Sequence, residues 1–178
     1  MALTTLILEN DPNRDARHAT LLNAVREHFN NPDIEIEYNR KGKPELKGVN
    51  RYISVTTVED KMIAVLSEGR IGIDGEHISR FTGETRTDFP AIAERFFTDE
   101  EADYVRDGED TGVRFAKIWI RKEAYAKYTG KGLTDFANFS VNDGERFYGK
   151  INGVPIKLIK INFPGSNEFL FAVAGDKI

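Results

Sequence analysis

Apolar positions change period several times along the chain, and each change predicts an element. Residues 15–29, DARHATLLNAVREHF, place Leu22, Val25 and Phe29 three and four apart, the spacing of one helical face, with Asp11 or Asn13 able to cap it. Residues 39–48, NRKGKPELKG, break that pattern with Gly and Pro and read as a loop. RYISVTT and KMIAVLS then read as strands joined tightly through VED, and RIGIDGE as a third. TDFPAIAERFF is a helix with Asp88 as cap and Pro90 in its first turn. FTDEEADYV starts another, Thr98 and Glu101 having capping-box spacing. A longer helix is expected from about Val113 to Tyr128, stopped at Gly130. FANFSV, RFYGKI and VPIKLIKINF read as strands around the turns NDG and NG, and EFLFAVAG as the last strand. Early strands, middle helices and late strands give an α+β class.

Composition narrows the function. The chain has 178 residues, enough for one domain or two small lobes on a shared core. Its formal net charge of −4 argues against a nucleic-acid partner bound through a basic surface. It has no cysteine, so disulfides, thiolate catalysis and Cys-based zinc sites are excluded. No apolar run approaches a membrane span, and MALTTLILENDPNRD lacks a basic leader. A cytoplasmic location with no membrane partner is the expectation. Three histidines, His18, His28 and His77, give no metal-ligand spacing.

Charge placement adds candidate chemistry. Along RIGIDGE, Ile71, Ile73 and Gly75 share one face of the strand, and Gly72, Asp74 and Glu76 the other. Two carboxylates projecting together repel, and a hard cation such as Mg²⁺ would relieve them. In WIRKEAYAKYTGKGL, Trp119, Glu123 and Lys127 are spaced i, i+4, i+8, with Lys122 at the border of the apolar stripe. A third carboxylate and two ammonium groups facing an Asp-x-Glu strand could hold Mg²⁺ and a diphosphate together. Taken singly, each stretch also fits a plainer role: a solvated strand end, or a surface Glu123–Lys127 pair with Lys122 lying over Trp119.

In sequence order the stretches resemble the 4′-phosphopantetheinyl transferase superfamily. Gly72, Ile73, Asp74 and Glu76 match its G-[IV]-D-x-E strand. The helix motif follows at 123 − 74 = 49 residues, on Trp119, Lys122, Glu123, Ala124 and Lys127, with Gly130, Gly132 and Leu133 as its tail. Phe96, Phe97 and Glu101 resemble the family's Phe-rich segment with its downstream acid, and Gly42, Lys43 and Pro44 its G-K-P. Asp-x-Glu points to the surfactin-synthetase (Sfp) type. Two departures stand out. An ungapped run puts Thr57 where the family has a histidine on the coenzyme A 3′-phosphate. Gly75 fills a slot usually aliphatic, where glycine is expected to loosen the strand.

The resemblance implies two similar α+β lobes, residues 1–70 and 71–178, in one monomeric chain. It implies Mg²⁺-dependent transfer of 4′-phosphopantetheine from coenzyme A to a serine of an apo acyl or peptidyl carrier protein, the holo-[acyl-carrier-protein] synthase reaction. Asp74, Glu76 and Glu123 would hold the metal. Glu123 would also be the general base, and Lys127 would act with it. Lys43, Thr57, Lys122 and Lys127 would bind coenzyme A. The rivals are a coenzyme A or carrier-binding protein that has lost turnover, and an unrelated Mg²⁺-dependent phosphohydrolase.

Overall fold

The computed structural model describes residues 3–83 and 86–178. Residues 1 and 2 of the expected N-terminal lobe and residues 84 and 85 of the expected C-terminal lobe lie outside them. The described chain is α+β, with three antiparallel sheets and four α-helices.

The first sheet joins β1 (Thr4–Glu9), β4 (Tyr52–Val58) and β5 (Lys61–Ser67) in the order β1-β5-β4. β1 was not expected from the sequence. It pairs with β5 from Thr4 opposite Leu66 to Glu9 opposite Lys61. Helix α1 (Arg14–Phe29) starts at Asn13, whose side chain accepts from the backbone N–H groups of Asp15 and Ala16. It buries Leu21 and Val25 against Ile53, Met62 and Leu66. The stretch expected as a loop forms a hairpin instead, with β2 (Glu35–Tyr38) pairing β3 (Pro44–Lys47). Its tip, residues 39–43, projects toward the second half of the chain.

That half is built on β6 (Ile71–His77), β7 (Lys150–Ile151), β8 (Val154–Ile159) and β9 (Phe169–Gly175), ordered β6-β9-β8-β7. Helices α2 (Phe89–Phe96), α3 (Asp99–Arg106) and α4 (Thr111–Thr129) cover it. Asp88 caps α2, and α4 ends on Gly130 at φ 74°, a left-handed position that suits glycine. FANFSV is not a strand. Leu133–Asn138 forms 3-10 turns, and Phe136 and Phe139 are buried. The carbonyls of Phe136 and Phe139 turn inward to a lysine, which removes them from any sheet ladder.

β6 joins the two halves. One edge pairs with β9. Along the other, side chains of β4 replace a ladder: Ser54 Oγ accepts from Ile73 N at 3.1 Å, and Thr56 Oγ1 from Gly75 N at 3.2 Å. This satisfies two buried backbone donors without strand pairing. Gly72 faces α4 so closely that a Cβ would collide with the backbone at Ala124 O and Tyr128 N. Gly75 is packed rather than loose. The ring of its cross-strand neighbour Phe171 lies in the space a side chain would fill, which corrects the expectation of a slack strand there.

Candidate active site

The close approach at Gly72 sets Asp74, two residues on and on the same face, against α4. Asp74 is 6% exposed. Its Oδ1 accepts from Lys127 Nζ at 2.8 Å and from Thr56 Oγ1 at 3.4 Å. Its Oδ2 is buried with no hydrogen-bond partner. An unsatisfied buried carboxylate oxygen is costly, and a cation or a water molecule would relieve it. Burial raises the Asp74 pKa, and the Lys127 ammonium opposes this.

Glu123 comes from α4, one turn before Lys127. Burial, then the charges of Asp74 and Glu76, push it up to about 7 against the pull of Lys127. Glu76 is raised by burial and by Asp74, while its partner Arg80 draws it down. The three carboxylates therefore sense one another, as the alternation of RIGIDGE and the helix spacing implied. They are not gathered into a ready ligand cage. Among the described residues, no group of three such side chains is placed to hold a metal ion. Asp74 is turned to Lys127 and Glu76 to Arg80. In kind the donors nonetheless suit a hard divalent cation: all are carboxylate oxygens, their charges repel, and one buried oxygen is unpartnered.

Of the expected coenzyme A contacts, Lys43 and Lys127 line one cavity and Thr57 its neighbour, while Lys122 falls elsewhere. Lys122 is 0% exposed, as is Glu101 of α3, and their charges pair at 2.7 Å. The Lys122 ammonium also donates to the carbonyls of Phe136 and Phe139, and Val141 N donates to Glu101 at 2.6 Å. This network ties α3, α4 and residues 136–141 into the core. Lys122 is thus removed from the cleft, and neither of its plainer and functional readings holds: it neither covers Trp119 from the surface nor faces a phosphate. Lys43 does line the cleft beside Glu123 and Lys127, but its ammonium is committed to Ile71 O at 3.2 Å and to Lys127 O. Beside it Lys41 donates to Gly130 O at 2.6 Å and Lys131 O at 3.1 Å. Two lysines of the hairpin tip thus cap the C-terminal end of α4, where the helix dipole favours cations.

Thr57 is exposed and points away from Asp74, as its odd register against Thr56 demands. Val55, not Thr57, sits between the two hydroxyls that hold β6. Val55 and Thr57 line a cavity of about 290 Å³ together with Arg14, Arg17 and His18 of α1. Gly42, Pro44 and Val55 also line a cavity of about 200 Å³ beside Glu123 and Lys127, so the two are neighbours. Arg17 donates to the carbonyls of Asp11 and Pro12, and His18 Nδ1 lies 3.2 Å from Tyr38 Oη.

The sequence did not single out Thr56, Ser54 or Lys41. The alternating hydroxyls of SVT were the available signal for the first two. Nothing local marked Lys41.

An α+β chain with an acidic Asp-x-Glu strand held against a Lys-Glu helix is a recognisable class. Residues 70–164 match the model of the 4′-phosphopantetheinyl transferase superfamily, and the chain belongs to that superfamily. Two curated relatives carry the same likeness. A provisionally named 4′-phosphopantetheinyl transferase of Synechocystis sp. is 28% identical over 116 residues, covering 62% of this chain and 45% of the relative. The 4′-phosphopantetheinyl transferase psf-1 of Bacillus pumilus is 31% identical over 104 residues, covering 57% of this chain and 42% of the relative. The chain thus matches less than half the length of either. Among the described residues, no helix is long and apolar enough to cross a membrane.

Proposed function

We propose that this chain transfers 4′-phosphopantetheine from coenzyme A to a serine of an apo acyl or peptidyl carrier protein, as an Sfp-type enzyme of two lobes, residues 1–70 and 71–178, acting as a monomer. The observation that carries the reading is the buried, half-satisfied Asp74 carboxylate, bonded to Lys127 and acting on Glu123, beside a cavity that both α4 residues line and that has a cationic cavity as its neighbour.

In this reading Asp74, Glu123 and Glu76 would hold Mg²⁺, which would supply charge neutralisation for the diphosphate. Lys127 meets the diphosphate as a point charge. Arg14, Arg17 and His18, near Thr57, receive the 3′-phosphate end. The serine oxygen attacks the β-phosphorus, the bond to the bridging oxygen breaks, and 3′,5′-ADP leaves. Glu123 takes the serine proton, directly or through water. The rest is positioning and charge neutralisation. Lys43 and Lys41 act at one remove, by holding the end of α4.

The test is incubation with coenzyme A, Mg²⁺ and a panel of apo-carrier proteins, reading carrier mass and 3′,5′-ADP. Mass gain matched by 3′,5′-ADP release, lost on chelation, is expected. Coenzyme A binding without transfer to any carrier would favour the binding-protein rival. Nucleotide hydrolysis without a carrier would favour the phosphohydrolase.

A further inference from the structure

A cavity of about 370 Å³ lies between β3, the start of β4 and the end of α4, and shares Lys43, Pro44 and Gly130 with the cleft beside Glu123 and Lys127. Its size falls within the range of small-molecule pockets, ~300–1,000 Å³. Four cations line it, Lys43, Lys47, Arg51 and Arg70, against one carboxylate, Glu45, in a chain whose net charge is −4. Tyr52 and Tyr128 supply ring surface, and Tyr52 is 45% exposed.

These cations are weakly neutralised. Lys47 pairs with Glu37 at 3.4 Å, both largely exposed, and Arg51 with Glu68 at 3.4 Å. Such pairs exchange readily with another anion. Lys43 is bonded to carbonyls, which do not cancel its charge. Burial and the nearby Arg70 both lower its pKa, and Glu45 opposes them. Arg70 is exposed and has no carboxylate paired with its guanidinium among the described residues. The nearest carboxylate on the C-terminal side, Asp176, is taken by Tyr128 Oη at 2.6 Å and by the Arg70 backbone N–H at 3.0 Å. The guanidiniums of Arg51 and Arg70 and the ammonium of Lys47, around aromatic walls, match a doubly charged head on a planar body.

We propose that this cavity is a second small-molecule site, separate from the cleft of Asp74 and Glu123, that takes an organic phosphate monoester. It shares Lys43 with the cleft, so its occupant sits against the residue that ties the hairpin to α4. The proposal does not rest on the transferase reading, and its test involves no turnover.

Phenyl phosphate, inorganic phosphate and phenol are titrated calorimetrically into the wild-type chain and into Arg70→Glu, Arg70→Ala, Arg14→Glu and Asp74→Asn. Phenyl phosphate is expected to bind one to one, more tightly than either of its parts. Arg70→Ala should weaken it roughly tenfold, the loss of one charge-assisted hydrogen bond, and Arg70→Glu should weaken it further. Arg14→Glu and Asp74→Asn should leave it unchanged. Binding that ignores both Arg70 variants, that Arg14→Glu abolishes, or that is absent at millimolar phenyl phosphate overturns the proposal.

Discussion

Replacing Glu123 by glutamine should stabilise the metal-free chain, and only at the alkaline end. Glu123 ordinarily titrates at 4.5 and is pushed to about 7 in the fold. Between those values the native chain holds a proton that the unfolded chain has released. Stability therefore falls as pH rises through this window, is intact below about 4.5 and is fully reduced above about 7. The gap corresponds to about 3.4 kcal/mol at ~1.36 kcal/mol per pKa unit. Glu123 keeps some contact with water, which screens its neighbours, so roughly half, ~1.5–2 kcal/mol, is the working figure. Glutamine has nearly the same shape and no charge. Urea unfolding followed through Trp119, in chelator at pH 5 and pH 8, measures it. Glu123→Gln should match the wild type closely at pH 5 and exceed it by that amount at pH 8. Added Mg²⁺ should then raise the wild type more than the variant, because metal binds the charged carboxylate. A pH-independent difference, or a variant less stable at pH 8 in chelator, would refute the electrostatic argument.

Two further substitutions probe the frame around the site. Lys122→Met leaves Glu101 buried and unpaired, so it should cost about 3–5 kcal/mol in urea unfolding; adding Glu101→Gln should recover part of the loss, and strictly additive effects would show that the two charges are not coupled. Gly72→Ala forces a methyl into the backbone of α4 and should cost about 1–3 kcal/mol as overpacking, while weakening Mg²⁺ affinity measured by calorimetry; unchanged stability and affinity would mean that α4 shifts without moving Asp74 from Glu123.

What the sequence revealed was what is local. The shared face of Gly72, Asp74 and Glu76 follows from strand alternation, and the course of α4 from its apolar stripe and glycine stop. The cap at Asp88 was readable for the same reason, and the choice between Asp11 and Asn13 is resolved at Asn13. What escaped depends on partners far along the chain. β1 is a short apolar run that becomes a strand only because Leu66 and its neighbours lie beside it. The β2–β3 hairpin is so polar that its glycine and proline dominated the pattern. Phe136 and Phe139 are three residues apart, a 3-10 spacing that resembles a strand in a short window. Lys122 looked like a cleft residue because its counter-charge, Glu101, belongs to another helix. Lys43 looked like a phosphate ligand because a carbonyl partner leaves no trace in sequence.

The arrangement of charge also constrains how any diphosphate can enter. Asp74, Glu76 and Glu123 act on one another as like charges, with Lys127 as their ammonium from α4, and the other nearby lysines, Lys41 and Lys43, are held by carbonyls. An anionic group approaching alone meets net repulsion there. Only two routes reduce it: protonation of the carboxylates, or a cation bound along with the anion. Protonation alone disables the base and leaves Asp74, whose Lys127 partner favours the charged form. A divalent ion held by Asp74, Glu76 and Glu123 would offset the carboxylate charge and that of the approaching phosphates. Coenzyme A affinity should therefore depend steeply on Mg²⁺ at pH 8, measured by calorimetry with and without chelator. It should depend less on Mg²⁺ at pH 6, where Glu123, titrating at about 7, is mostly neutral. Equal affinity with and without Mg²⁺ at pH 8 would mean that the diphosphate lies away from Asp74, on the cations of α1.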